Sequence, residues 1–172
     1  MVGEMTEILD STSLLLDTNV WLDYLIESRR GHKAAFQLID AAFQREIELL
    51  FAVTSSKDIF YTANRAAKYW YRESHDGELT DSAALAAQEI AWGCLSQLRE
   101  LGTAVGCDLS DVWLACKHRS IHGDYEDDLI LAAIQRVGST TLVTNDEKLL
   151  RHCPVAALDM KDALAYVEQM GE

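Results

Sequence analysis

Three aspartates follow apolar runs in a way that would bring their carboxylates together. Asp17 comes directly after the run 14–16, and Asp146 closely follows the run 141–144. Asp58 lies in the first turns of a predicted helix that follows a further run of this kind. Short apolar runs bounded by polar residues are typical of buried parallel strands, and ligands of open α/β sheets bind in the crevice at the carboxyl ends of the strands. The spacing therefore predicts a crevice lined by carboxylates.

Carboxylates in one crevice indicate a particular chemistry. Like charges repel and raise each other's pKa unless a cation lies among them. Hard oxygen ligands suit Mg²⁺ or Mn²⁺, and such ions can activate water and stabilise charge on an attacked phosphodiester. The chain has no GxSxG motif, no P-loop glycine pattern and no recognisable Cys/His pair. The residue types thus favour metal-dependent hydrolysis over nucleophilic catalysis by a side chain.

A fourth aspartate, Asp127, is less easily placed. It lies in the acidic run 124–128, at the start of a predicted helix that leads into the strand 141–144. An acidic run of this kind is usually a solvated helix start. Simple right-handed winding would put this helix start at the opposite edge of the sheet. Topology alone therefore does not bring Asp127 into the crevice.

Helix capping is an alternative role for the other three aspartates. Asp17 begins an Asp-Thr-Asn sequence that suits a helix N-terminus, and Asp146 could cap the helix that follows it. Asp58 would be favoured in a first turn by the helix dipole alone. Capping and metal binding are compatible for Asp17.

The elements that must position these residues alternate between short apolar runs and longer segments with a helical period. This alternation predicts an α/β domain, a three-layer α/β/α sandwich whose central, mostly parallel sheet has about five strands. The predicted strands are 14–16, 48–53, 103–107, 141–144 and 156–158. The predicted helices are 19–27, 32–45, about 55–71, 80–101, 110–121, 125–137 and 160–169. The 172 residues predict a single domain over 1–172.

Composition limits where this domain works and what it binds. No run approaches the ~18 apolar residues of a membrane helix, and no signal peptide is visible. The four cysteines match no metal-binding spacing and are expected to be buried free thiols in a reducing cytoplasm. The net charge of −13 argues against nucleic acid as a partner. Bound cations, or basic residues gathered on one face, would remove that objection.

Four segments, in the right order and spacing, resemble the motifs of the PIN (PilT N-terminus-like) domain, a family of nucleases. These segments are 15–23, 54–61, 124–129 and 143–146. The resemblance covers about 13–168 and implies a Rossmann-like α/β/α sandwich that cleaves single-stranded RNA with the help of a metal. Many bacterial members are similar to the VapC class, the toxins of type II toxin–antitoxin systems. For these, a small antitoxin protein that covers the site and a homodimer are expected.

The resemblance also assigns the site. The catalytic, metal-binding acids would be Asp17, Asp58, Asp127 and Asp146, holding one or two Mg²⁺ or Mn²⁺ ions. The residues that support the site by hydrogen bonds would be Thr18, Asn19 and Thr144.

Two positions depart from a simple match to the family. The second acid is the short Asp58, because Lys-Asp replaces a glutamate in this subfamily. Asp124 or Asp128 could also exchange roles with Asp127.

Basic residues near Asp58 are candidates for contacts with RNA phosphates. Arg65 and Arg72 follow Asp58 at intervals of seven residues, so all three should share a helix face, with Lys68 close by. The further candidates are Arg29, Arg30 and Lys33. A solvated face with ordinary ion pairs is the alternative.

Two other functions compete with the nuclease. One is a PIN-like binding or regulatory module that has lost catalysis, which the net charge favours and the intact set of acids opposes. The other is a phosphohydrolase of the haloacid-dehalogenase kind, which also begins with an aspartate after the first strand. That chemistry requires a second aspartate two residues later, where this chain has Asn19.

Overall fold

The sheet of the described residues has five parallel strands, as the sequence predicts. The computed structural model describes residues 13–120, 123–138 and 140–170. Its strands are β1 (Ser13–Leu16), β2 (Glu48–Ala52), β3 (Thr103–Val105), β4 (Thr140–Val143) and β5 (Ala157–Leu158). They pair in the order β3-β2-β1-β4-β5, and every described pair is parallel. β1 is therefore central, with β2 and β4 on either side.

Helices connect the strands and cover the sheet. They are α1 (Thr18–Leu25), α2 (His32–Gln44), α3 (Ser55–Ser74), α4 (Asp81–Leu101), α5 (Leu109–His118), α6 (Tyr125–Val137), α7 (Glu147–His152) and α8 (Met160–Gln169). Most boundaries agree with the predicted ones to within two or three residues. α3 extends to Ser74, three residues beyond its predicted end.

Side chains of β1 divide the core into two layers. Leu14 and Leu16 pack with residues of α1, α2, α3, α4 and α8, whereas Leu15 packs with residues of α6 and α7. Successive strand side chains point to opposite faces, so a central strand with helices on both sides must be apolar throughout. All three leucines are fully buried. The predicted α/β/α sandwich is confirmed.

Two expectations from composition have different outcomes. No helix of the described residues is long and apolar enough to cross a membrane. All four cysteines are free thiols, but only Cys94 is buried, and Cys107 and Cys116 are exposed. The expectation of buried thiols was wrong for these two, because Cys107 lies in the loop after β3 and Cys116 lies on the solvent face of α5.

A buried carboxylate ties α5 to α6. Asp111, whose side chain is 0% exposed, accepts hydrogen bonds from Arg136 Nε and Nη2, each at 3.1 Å, and from the backbone N–H of Asp108 at 2.9 Å. Arg136 also donates to the carbonyl of Gly106. Because α6 begins at the acidic run 124–128, this link helps to fix the helix that carries Asp127.

Replacing Arg136 with Ala should therefore lower the free energy of unfolding by about 3 kcal/mol, because a buried carboxylate loses its charged partner. Urea unfolding at neutral pH measures the change. The control is Arg99→Ala, which removes an exposed arginine from α4 and should change stability by less than about 0.5 kcal/mol. Equal costs for the two variants would contradict this account of the link.

Candidate active site

A polar cavity of about 340 Å³ lies at the carboxyl edge of the sheet. All four predicted catalytic aspartates line it, which satisfies the expectation that they share one crevice. Its lining residues are Asp17, Thr18, Asn19, Leu22, Asp58, Thr62, Asp124, Glu126, Asp127 and Asp146. A larger cavity of about 550 Å³ lies between α3, α4 and the end of α1, but its lining is mainly apolar. The carboxylates make the smaller cavity the candidate site.

Asp17 is held in place by the pairing of β1 with β4. Its N–H donates to the carbonyl of Val143 at 2.9 Å, and its Oδ2 accepts a hydrogen bond from Thr144 Oγ1 at 2.8 Å. Thr144 Oγ1 in turn accepts from the N–H of Asp146 at 3.1 Å. Asp17 precedes α1, yet its side chain makes no capping hydrogen bond to that helix. The side chain is thus directed to the site, and the capping role does not account for it.

Burial is costly for the Asp17 carboxylate. It raises the pKa of Asp17 above its usual value, and the negative charge of Asp146 raises it further. Hydrogen bonds from Thr144 and from the Thr18 backbone act in the opposite direction. The predicted supporting residue Thr144 therefore contacts the central acid directly.

The start of α6 lies at the cavity, contrary to the expectation from winding. α6 ends at Val137, just before β4 begins, and therefore runs antiparallel to the strands. A helix that runs back in this way starts at the carboxyl edge, so the topology does bring Asp127 to the crevice. Asp124 also lines the cavity and caps α6 by accepting from the N–H of Glu126 at 3.0 Å. Asp128 is buried and does not line the cavity.

The environment of Asp127 strongly disfavours its charged form. Its pKa is raised to about 7, first by burial and then by the charges of Asp17, Asp124 and Asp146. A carboxylate surrounded in this way either keeps a proton or needs a cation. Of the two aspartates that could exchange roles with Asp127, Asp124 lines the cavity as well and Asp128 does not.

Glu126 is a site residue that the sequence analysis did not single out. Its pKa is also raised to about 7, through burial first and then through the charge and hydrogen bonding of Asp58, while Lys57 acts in the opposite direction. Thr18 Oγ1 lies 3.5 Å from Glu126 Oε1 and donates to Ser55 Oγ at 2.7 Å. The longer Glu126 lies beside the short Asp58, within hydrogen-bonding reach of its carboxyl group. In the sequence, its position in the acidic run 124–128 was the signal that could have identified Glu126 as a site residue.

Two of the acids also take part in local structure. Asp146 Oδ1 accepts from the N–H groups of Lys148 and Leu149, at 2.8 and 2.9 Å, and so caps α7. Asp58 lies in the first turn of α3 and pairs with Lys57 at 3.3 Å. Asp146 therefore caps α7 and lines the cavity at the same time. Asn19, the remaining predicted supporting residue, lines the cavity and is exposed.

The basic candidates lie outside the cavity. Arg65, Lys68 and Arg72 follow Asp58 along α3, and none of them forms an ion pair with a described residue. Arg29 is bound instead to Asp23, with Nε 2.6 Å from Oδ1. That ion pair argues against Arg29 as a phosphate contact.

The donor set suits a hard divalent cation. Every charged side chain that lines the cavity in the described part of the chain is a carboxylate, and a cation would relieve the repulsion among these carboxylates. Among the described residues, no three acid, histidine or cysteine side chains already surround a single point as metal ligands do. The carboxylates would therefore have to move closer together around an ion.

The raised pKa of Asp127 makes a prediction about stability in EDTA. The pKa of an aspartate in an unfolded chain is about 3.9. Between about pH 4 and pH 7, Asp127 therefore holds its proton more tightly in the folded chain than in the unfolded one, and the free energy of unfolding falls as pH rises. Asp127→Asn cannot undergo this titration. Its free energy of unfolding, relative to that of the wild type, should therefore rise between pH 5 and pH 8, and urea unfolding measures both values.

The control for this titration is Asp40→Asn, which changes an exposed aspartate of α2. The gain over the wild type should be larger for Asp127→Asn than for this control. A pH-independent difference between Asp127→Asn and the wild type would contradict the raised pKa.

Comparison with known proteins places the chain in a family. A family model described as "PIN domain" matches residues 13–148, which include β1, β4 and all the acids of the cavity. A search of curated proteins finds no match. Among solved structures, the chain resembles a crystal structure of VapBC2 from Rickettsia felis bound to a DNA fragment from their promoter, with a TM-score of 0.59 and 11% identity. The match covers 86% of this chain and 98% of that one, and it shows a common fold. The resemblance seen in the four sequence motifs is confirmed: the chain belongs to the PIN domain family.

Proposed function

We propose that this protein is a metal-dependent endoribonuclease that cleaves single-stranded RNA. The observation that carries the proposal is the convergence of Asp17, Asp58, Asp127 and Asp146 in one cavity of a PIN domain. Like charges gathered at a partly buried edge destabilise the fold, and a bound divalent cation would offset that cost. The chemistry of the site, and not the net charge of the whole chain, then determines what it binds.

The residues that would hold Mg²⁺ or Mn²⁺ are those four aspartates, with Glu126 as a further candidate. Such an ion would activate water and stabilise negative charge on the phosphodiester. Thr144 would keep the Asp17 carboxylate oriented through its hydrogen bond of 2.8 Å. Thr18, which contacts Ser55 and approaches Glu126, would link α1 to the start of α3 and to α6.

Glu126 and Asp127 would supply a link between protonation and metal binding. Both have a pKa raised to about 7, so at neutral pH each carries a proton for part of the time. Ligand carboxylates must be ionised, so uptake of a cation would release these protons. Activity at a given metal concentration should then fall below pH 7.

We further propose that the protein works in the cytoplasm as the toxin of a type II toxin–antitoxin pair. Membership of the PIN family and the fold shared with the VapBC2 structure support this assignment. The partner would be a small antitoxin protein, and the active form would be a homodimer. The second candidate, a binding module without catalysis, is favoured by the net charge of −13.

Cleavage of an unstructured, fluorescently labelled RNA tests the proposal. The wild-type chain should cut it when Mg²⁺ or Mn²⁺ is present and should stop when EDTA is added. Asp17→Asn should reduce the rate to the EDTA background, because it removes the buried charge at the centre of the site. The matched control is Asp40→Asn, which should keep the wild-type rate.

Cleavage that survives both EDTA and Asp17→Asn would contradict the proposal. A pure wild-type protein that binds neither Mn²⁺ nor RNA and cuts nothing would favour the binding module instead. Cutting of double-stranded RNA at the same rate would refute the single-strand preference.

A further inference from the structure

One face of α3 combines basic and aromatic side chains that point to solvent. We call these residues the α3 stripe: Tyr61, Arg65, Lys68, Tyr69 and Arg72. Tyr61 and Tyr69 are 66% and 64% exposed, Arg65 and Arg72 are exposed, and Lys68 is half-buried. Most of each tyrosine ring is thus open to a binding partner, although Tyr61 also contacts Phe60 edge to face.

Helix geometry places the α3 stripe in line with the cavity. Residues of an α-helix are about 100° apart, so the whole stripe lies within an arc of about 120° that includes Asp58 and Thr62. Asp58 and Thr62 both line the acidic cavity. The apolar side chains Ala63, Ala67 and Trp70 line the neighbouring apolar cavity and lie on a different face of α3. The stripe is therefore a continuation of the candidate site along the surface.

The chemistry of the α3 stripe suits a single nucleic-acid strand. Arginine and lysine bind phosphates, and tyrosine rings stack on bases of any sequence when the bases are not paired. The chain carries a net charge of −13, so three neighbouring cations on one helix face form a local exception. None of the three pairs with an acid among the described residues. These charges complement a polyanion.

We propose that the α3 stripe is the track along which single-stranded RNA enters the acidic cavity. Arg65 and Arg72 contact phosphates, Lys68 adds charge beside them, and Tyr61 and Tyr69 stack on bases. This inference rests on the proposed ribonuclease function and specifies how the substrate is held. The helix rises by about 21 Å from Asp58 to Arg72. At a rise of about 3.4 Å per stacked nucleotide, this length accommodates about six nucleotides.

The track would account for the proposed preference for single strands, which the cavity alone would not. In a duplex the bases stack on one another and are not available to the two tyrosines. The exposed Glu73 and Asp76 follow Arg72, so the favourable charge ends there. The RNA contacts would thus be confined to one side of the cavity.

Binding of labelled, unstructured RNA to the full chain, followed by fluorescence anisotropy, tests the track. All variants carry Asp17→Asn so that the RNA stays intact, and Mg²⁺ is present throughout. Arg65→Gln with Arg72→Gln should weaken binding and reduce the slope of log K against log salt by about 1.4, the value for two lost phosphate contacts on a single strand.

The tyrosines should give a different result. Tyr61→Ala and Tyr69→Ala should each weaken binding by about 5- to 100-fold with an unchanged salt slope, and the corresponding Phe variants should bind as the parent does because the ring is kept. Duplex RNA should not distinguish the Ala variants from the parent.

Two matched controls lie off the track. Arg99→Gln removes one arginine charge at the far end of α4, beside the start of β3 and away from the cavity, and is compared with Arg65→Gln and Arg72→Gln made singly. Tyr71→Ala removes an aromatic ring from another face of α3. Both should bind RNA as the parent does. If the stripe variants also bind like these controls, the track is refuted, and the stripe would be free to bind an acidic protein segment.

The outcome is separable from that of the proposed function. Metal-dependent cleavage that is lost with Asp17→Asn would support the nuclease even if the stripe variants bind normally. Stripe-dependent binding by a chain that cuts no RNA would support the track and refute the nuclease.

Discussion

The pairing of β1 with β4 is the constraint on which the site depends. It places Leu16 beside Val143, so that β1 and β4 end at the same level of the sheet. Asp17 then donates to the Val143 carbonyl and accepts from Thr144, and Asp146 follows within hydrogen-bonding distance of Thr144. Two acids are thereby brought together by backbone hydrogen bonds of the sheet. A one-residue shift in this register would move every side chain of β1 to the other face of the sheet and would disrupt both the core and the cavity.

Electrostatic repulsion follows directly from this geometry. The sheet edge gathers Asp17 and Asp146, α3 adds Asp58, and α6 adds Glu126 and Asp127, all around one cavity. Such an arrangement lowers the stability of the folded chain at neutral pH, and proteins commonly retain that kind of cost where function requires it. The same chain is strongly acidic overall, yet three basic side chains lie along α3 beyond the cavity. The distribution of charge, more than its sum, is what suits a site for a cation and a polyanion.

Much of this structure could be predicted from the sequence, for identifiable reasons. Apolar runs with turn signals located the strands, and the position of Asp17 and Asp146 after two of them followed from the shared edge of a parallel sheet. Topology misplaced Asp127 because the start of the helix before β4 was assigned to the wrong edge of the sheet, whereas a helix that runs back antiparallel to the strands starts at the carboxyl edge. Glu126 was missed because an acidic run is usually solvated, and only the tertiary fold shows that it lies beside Asp58. The pairing of Arg29 with Asp23 could not be read from spacing either, since it depends on the turn after α1.

Calorimetric titration of the metal-free protein with Mn²⁺ at pH 7.5 shows whether the clustered carboxylates form a cation site. We expect binding by the wild type and by Asp40→Asn, and at least about tenfold weaker binding by Asp17→Asn. We also expect release of protons on binding, which is detected by comparing buffers with different ionisation enthalpies. Proton release is expected because Glu126 and Asp127, whose pKa values are raised to about 7, must ionise beside the cation. Equal Mn²⁺ affinity for the wild type and Asp17→Asn, or no binding by either, would contradict the claim that these carboxylates form a cation site.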